Sequence, residues 1–281
     1  MNSTERNEKS NEVGVSAVSR LFAVLRSLGD SPEAGERVTQ LAERIGLSQP
    51  TTHRLLRSLM DEGMVEQDAR SKRYRLSLEF FALAARAGRS GNLRELVRPA
   101  LLRLSASLGD SLFLLARSGF DAICLDRSEG PFPIRTFTGD IGGRVALGVG
   151  QGSLAILAFL PEDERETVIR YNLPRLRDFH LYDEVFLRSE VENVRQLGYA
   201  GRNTGVLQGM AGLAVPILDR DGLDRDGRAV AALSVATITD RLGPDRLPTV
   251  VELLKREAAA IGPRINPFDP LLRRPSQIFG E

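Results

Sequence analysis

Residues 48–77, SQPTTHRLLRSLMDEGMVEQDARSKRYRLS, constrain this chain more tightly than any other stretch. Ser48 precedes a run whose apolar residues Leu55, Leu56, Leu59 and Met60 recur at helical spacing, and Gly63 follows it. A serine hydroxyl can accept a hydrogen bond from an N–H of the first turn, and Pro50 falls where a missing N–H costs nothing. The spacing therefore predicts a helix with Leu55, Leu56, Leu59 and Met60 inward and Pro50, Arg54, Arg57 and Ser58 outward, flanked by Thr51 and His53. Two short strands joined by a turn at Asp68–Ser71 follow, and four of the six residues in RSKRYR are cationic.

Upstream, residues 15–29 place Val18, Leu21, Phe22, Leu25 and Leu28 on one helical face, closed by Gly29. Residues 38–46 form a second short helix with Leu41, Ala42 and Ile45 inward and Gly46 at its end. Three short helices, a tight second-to-third connection and a basic hairpin describe a winged helix-turn-helix. A helix of that kind fits the major groove, and cations on the hairpin meet phosphates or the minor groove. The DNA-contact candidates are Thr39, Ser48, Gln49, Pro50, Thr51, Thr52, His53, Arg54 and Arg57 on the helices, with Arg70, Lys72, Arg73 and Arg75 on the wing.

The 281 residues suit two domains. The expected order is a disordered start (1–12), the winged helix-turn-helix (13–77), a helical linker (78–92), an effector domain (93–265) and a tail (266–281). Beyond residue 110 the texture becomes α+β: apolar strands near SLFLLAR, DAICLDR and FPIRTFT, helices at 151–160, 162–171 and 184–198, strands near 210–217 and 229–238, and a closing helix at 244–262. A polar start without an apolar core predicts no export signal, and no apolar run reaches the ~18–20 residues that span a bilayer, so the cytoplasm is the expected compartment and no membrane partner is expected.

Catalytic and metal constellations are not expected. Cys124 is the only cysteine and reads as a buried strand residue; His53 and His180 fall in no ligand spacing. The doubled LDRDG at 218–227 reads as a lengthened hairpin turn rather than a calcium loop, since arginines interleave its acids and the later glutamate is missing. No cofactor is expected. The glycine-rich stretch Leu147–Ser153, entering a helix at Gly150, Gln151, Gly152 and Ser153, offers backbone N–H groups and a helix dipole to an anion such as a carboxylate; the same glycines equally allow a helix to pack closely on a sheet.

Several of these segments, in this order, resemble the IclR family of transcriptional regulators from about Val15 to about Gly262: the recognition helix and wing just quoted, EGPFPIRTFTGDIGGRVALGVGQGSLAILAFLP, LRELVRPALLRLS, RQLGYAGRN and AVAALSVATITDRL. The resemblance implies a GAF-like antiparallel sheet with flanking helices, a homodimer or tetramer joined through the first and interdomain helices, a palindromic operator, and an organic-acid or aromatic effector. Two-fold symmetry would also double the small footprint of one winged helix. By motif, the effector positions would be Gln151, Gly152, Arg202, Gly212, Ser234 and Ala236. This chain departs from the family pattern at Gly150, Arg202 and Gly212, which points to a roomier, less polar pocket and to an aromatic or bulky carboxylate that Arg202 could pair. The rivals are an architectural DNA-binding protein without an effector and an enzyme with a regulatory helix-turn-helix.

Overall fold

The computed structural model describes residues 17–87, 93–132, 140–176, 183–201, 209–219 and 228–265, with the side chains of 84–87 and 219 outside the description. The chain divides into two compact units, Met1–Arg89 and Ser90–Glu281.

In the first unit, helix α1 covers residues 17–29, α2 Val38–Ile45 and α3 Gln49–Asp61. Gly46 ends α2 with φ 66°, and its N–H bonds back to the carbonyls of Ala42 and Glu43; this left-handed residue lets the chain reverse within two residues into Ser48. Ser48 caps α3 as expected, its Oγ accepting from the Thr51 N–H at 3.4 Å. Strands β1 (Val65–Gln67) and β2 (Tyr74–Leu76) pair antiparallel, and α4 spans Leu78–Ala87. The core is Val24, Leu28, Leu41, Leu56, Leu59, Val65 and Tyr74.

Three expectations about this core are corrected. Val18 and Phe22 are 56% and 50% exposed, because the buried stripe of α1 runs through Val24 and Leu28, with Leu21 and Leu25 partly covered. Met60 is 38% exposed, one position past the inward row Thr52, Leu56 and Leu59. The sequence also hid a third hairpin partner: Glu36 exchanges backbone hydrogen bonds with Tyr74 at 3.0 and 2.8 Å. Its buried carboxylate is held by Arg44 and, at 2.6 Å, by Ser31.

The second unit is built on one antiparallel sheet of order β5-β4-β3-β8-β7-β6. Its members are β3 (Ser111–Ser118), β4 (Asp121–Ser128), β5 (Arg144–Ala146), β6 (Ala200–Gly201), β7 (Met210–Asp219) and β8 (Arg228–Ile238). Helices α5 (Leu93–Leu108) and α9 (Leu247–Ile261) cover one face, packing on Leu112, Leu114, Leu213, Val215, Leu233 and Val235. Helices α6 (Gln151–Ala158), α7 (Glu162–Leu176) and α8 (Glu184–Leu197) cover the other, which carries Phe113, Leu115, Cys124, Ala214 and Ala232. Double coverage explains why β3 and β8 read as nearly continuous apolar runs instead of alternating. The segment FPIRTFT and the turn residues of the LDRDG repeat lie outside the described residues, while the short β5 and β6 were not anticipated.

Candidate nucleic-acid interface and effector site

On α3, Gln49, Pro50, His53, Arg54 and Arg57 are exposed and Thr51 is half-buried; Ser48 and, on α2, Thr39 are exposed as well. Thr52 does not belong with them. It is fully buried and its hydroxyl donates to the Ser48 carbonyl at 3.1 Å, so it is part of the core that seats α3. A threonine beside other polar residues gives no sign in the sequence of such burial; only its place three and four residues before Leu55 and Leu56 puts it on the inward row.

The wing is ordered by its own turn. Asp68 Oδ1 accepts from the Ser71 N–H at 2.6 Å, the Ser71 hydroxyl at 2.7 Å and the Arg70 N–H at 3.2 Å, and these bonds, led by the Ser71 N–H, hold its carboxyl below the ordinary value. Lys72 takes φ 57° at the tip. Arg70 and Lys72 are exposed there, whereas two of the four wing cations have protein partners. Arg73 donates to the Gly35 carbonyl at 2.8 Å, and Arg75 pairs across the hairpin with Glu66 at 2.5 Å.

In the second unit the structure brings together most of the positions singled out around the glycine-rich loop. Gly212 and Ala236 are register partners on β7 and β8, as are Ala214 and Ser234, and this row faces α6. Gly150 is the N-cap of α6 with φ 75°, and no side chain caps the first turn. A β-carbon on Gly152 would lie 2.0 Å from Leu115 Cδ1 and 3.3 Å from Ser234 Cβ; one on Gly212 would lie 3.3 Å from Gln151 Cγ. Ser234 is 8% exposed, and its hydroxyl enters none of the side-chain hydrogen bonds among the described residues.

The start of α6 thus closes on a floor of small residues around a buried hydroxyl. Ser153 is the exception: 1% exposed, it donates to the Val149 carbonyl at 2.6 Å and accepts from the Gly148 N–H at 3.2 Å, so its side chain braces the loop instead of facing the floor. Arg202 and His180 lie outside the described residues. Cys124 is buried on β4, and removal from water pushes its thiol up to about 11. No group of metal-binding side chains occurs among the described residues, and no described helix is long and apolar enough to cross a membrane.

Comparison with known proteins agrees with this division. The IclR helix-turn-helix domain matches residues 17–69, and the bacterial transcriptional regulator IclR C-terminal domain matches residues 85–262. The regulator KdgR of Escherichia coli K12 is 27% identical over 256 residues, covering 91% of this chain and 94% of its own. BhcR of Paracoccus denitrificans is 28% identical over 257 residues, 89% of each chain. Among solved structures, the Thermotoga maritima IclR superposes with a TM-score of 0.67 at 22% identity, covering 89% of this chain and 98% of that one. An IclR homolog from Microbacterium hydrocarbonoxydans complexed with 4-hydroxybenzoate does so with 0.69 at 22% identity, over 88% and 97%. These two share the fold. The protein is therefore a transcriptional regulator with a helix-turn-helix DNA-binding domain and a separate effector-binding domain. It belongs to the IclR family.

Proposed function

We propose that this regulator binds a palindromic operator through α3 and the wing tip, and that an aromatic or otherwise bulky carboxylate in the second unit controls that binding. The DNA reading rests on one exposed face, Gln49, His53, Arg54 and Arg57, carried on a capped helix beside Arg70 and Lys72. Arg73 and Arg75 support the wing from within, so the tip cations carry the phosphate contacts. Substituting Arg54 and Arg57 by Ala should abolish specific operator binding with the fold intact; retained specificity refutes the assignment.

The effector reading is carried by the buried Ser234 hydroxyl beside the uncapped first turn of α6. N–H groups at a helix start and a hydroxyl together suit a carboxylate. The glycine and alanine at Gly212 and Ala236 leave flat space one residue pair further along for the body of the acid. That a structural neighbour is complexed with 4-hydroxybenzoate is consistent with such a guest. A thermal-shift panel of benzoate, 4-hydroxybenzoate, pyruvate and glyoxylate tests this, since a ligand at about 100 times its Kd stabilises by about 2.7 kcal/mol. Stabilisation by the aromatic acids supports the reading; tight binding of pyruvate or glyoxylate alone refutes it.

The active form is a homo-oligomer working in the cytoplasm. Its support is the apolar surface that the first unit leaves exposed: Val18 and Phe22 on α1, and Leu78, Phe81 and Leu83 on α4. A second copy covering those side chains also supplies the symmetry of a palindrome.

A further inference from the structure

We propose that Gly212 and Gln151 form the size selector of the effector site, Gly212 by giving room and Gln151 by taking it. This rests on reading that site as the place where an organic acid binds. Gly212 is not among the residues with positive φ, so its backbone does not demand glycine. What demands it is space. A β-carbon there would meet Gln151 Cγ and the Val235 carbonyl oxygen, each at 3.3 Å, with Gln151 Cβ at 3.9 Å.

One of those neighbours cannot give. Val235 lies in the centre of β8, paired with Leu213 on one side and Leu112 on the other, so its carbonyl is fixed in the sheet. Nor can helix α6 back away freely, because Gly152 already sits on Leu115 and Ser234 with no space for a β-carbon. The Gln151 side chain is the movable part. It lies over Gly212, next to Ala236 and one residue pair from Ser234.

Strand geometry places that next pair about 7 Å along the floor. A carboxylate anchored near Ser234 and the start of α6 therefore extends its body toward Gly212, where Gln151 limits the length. Truncating Gln151 lengthens the floor. Adding a methyl at Gly212 lifts Gln151 into the gap between helix and sheet and shortens it.

The test compares wild type, Q151A, G212A and the double variant, titrated calorimetrically with pyruvate, benzoate and 4-hydroxybenzoate. The readout is the affinity ratio of 4-hydroxybenzoate to pyruvate. Changes of pocket volume on this scale shift discrimination by about tenfold or more. Q151A should raise the ratio about tenfold and G212A should lower it about tenfold. The double variant should return to the Q151A value, because without Gln151 the added methyl has nothing to lift. Equal loss of affinity for all three acids, with the ratio unchanged, marks a merely structural role and overturns the proposal. So does a G212A spectrum in which the Gln151 side-chain amide signals, assigned with Q151A, have not moved. If none of the acids binds wild type, the effector reading falls and this selector with it; an unmoved amide alongside normal binding removes the selector alone.

Discussion

Replacing Asp110 should cost the second unit more than any exposed substitution, because this carboxylate ties four elements together. It sits just past the end of α5, 1% exposed, and opens β3. Its Oδ1 accepts from the Thr237 hydroxyl and from Arg241 Nε, both at 2.9 Å, and its Oδ2 accepts from Arg246 at 2.7 Å. Thr237 belongs to β8, while Arg241 and Arg246 lie in the connection to α9. Both arginines also reach the last α5 carbonyl, Leu108, at 3.3 and 2.6 Å, and Arg241 rests 4.2 Å over the Phe132 ring.

Removing one partner of a buried ion pair costs about 3–5 kcal/mol when the survivor is stranded. Here the guanidinium groups are 30% and 29% exposed, so water recovers part of their solvation and the lower end, about 3 kcal/mol, applies to Asp110→Ala. In a domain of this size each kcal/mol moves the melting temperature by roughly 2–4 °C, giving a fall of about 6–12 °C. Thr237→Val, which removes only the neutral bond, should cost about 1 kcal/mol. Calorimetric melts of the full chain at neutral pH measure both. An Asp110→Ala protein melting within 2 °C of wild type, a margin set by the same roughly 2–4 °C per kcal/mol, would refute the reasoning.

Two further predictions concern single side chains. Cys124 should resist thiol reagents in the native protein and react at the rate of unfolding. Its folded pKa of about 11 lies above the ordinary 9.0, so stability present below pH 9 drains away as pH rises toward 11. That loss amounts to about 2–3 kcal/mol, and a Cys124→Ala protein lacking this alkaline difference in urea melts supports the burial account. Ser48→Ala should lower the stability of the first unit by about 1 kcal/mol by uncapping α3, and Ser48→Asp should largely restore it. Equal urea midpoints for all three proteins would count against the cap.

The DNA-binding half was legible because its signals are local. A cap such as Ser48, a left-handed Gly46 and a three-to-four-residue apolar spacing are decided within one or two turns of chain. What failed there depended on the tertiary partner. Thr52 is polar and buried, Phe22 apolar and exposed, and neither fact follows until α1 and α3 are packed. Glu36 shows the same: its backbone pairing with Tyr74 joins residues 38 positions apart, which no window of periodicity covers. In the second unit, β5 and β6 are three and two residues long, too short to carry a pattern of their own.

The glycine-rich loop posed an either-or that the packed structure dissolves. Anion-binding backbone and close helix-to-sheet contact stood as alternative reasons for the same glycines. The residues divide the work instead. Gly152 is glycine because Leu115 leaves its β-carbon no volume, which is the packing reason. Gly150 meets nothing within 4 Å but holds φ 75°, so its freedom serves the turn that exposes the first N–H groups of α6. Close approach and an open helix start are then one arrangement. Only because Gly152 brings the helix down onto Ser234 does that hydroxyl share a site with the helix start, and only because Gly212 lacks a side chain can Gln151 lie beside them.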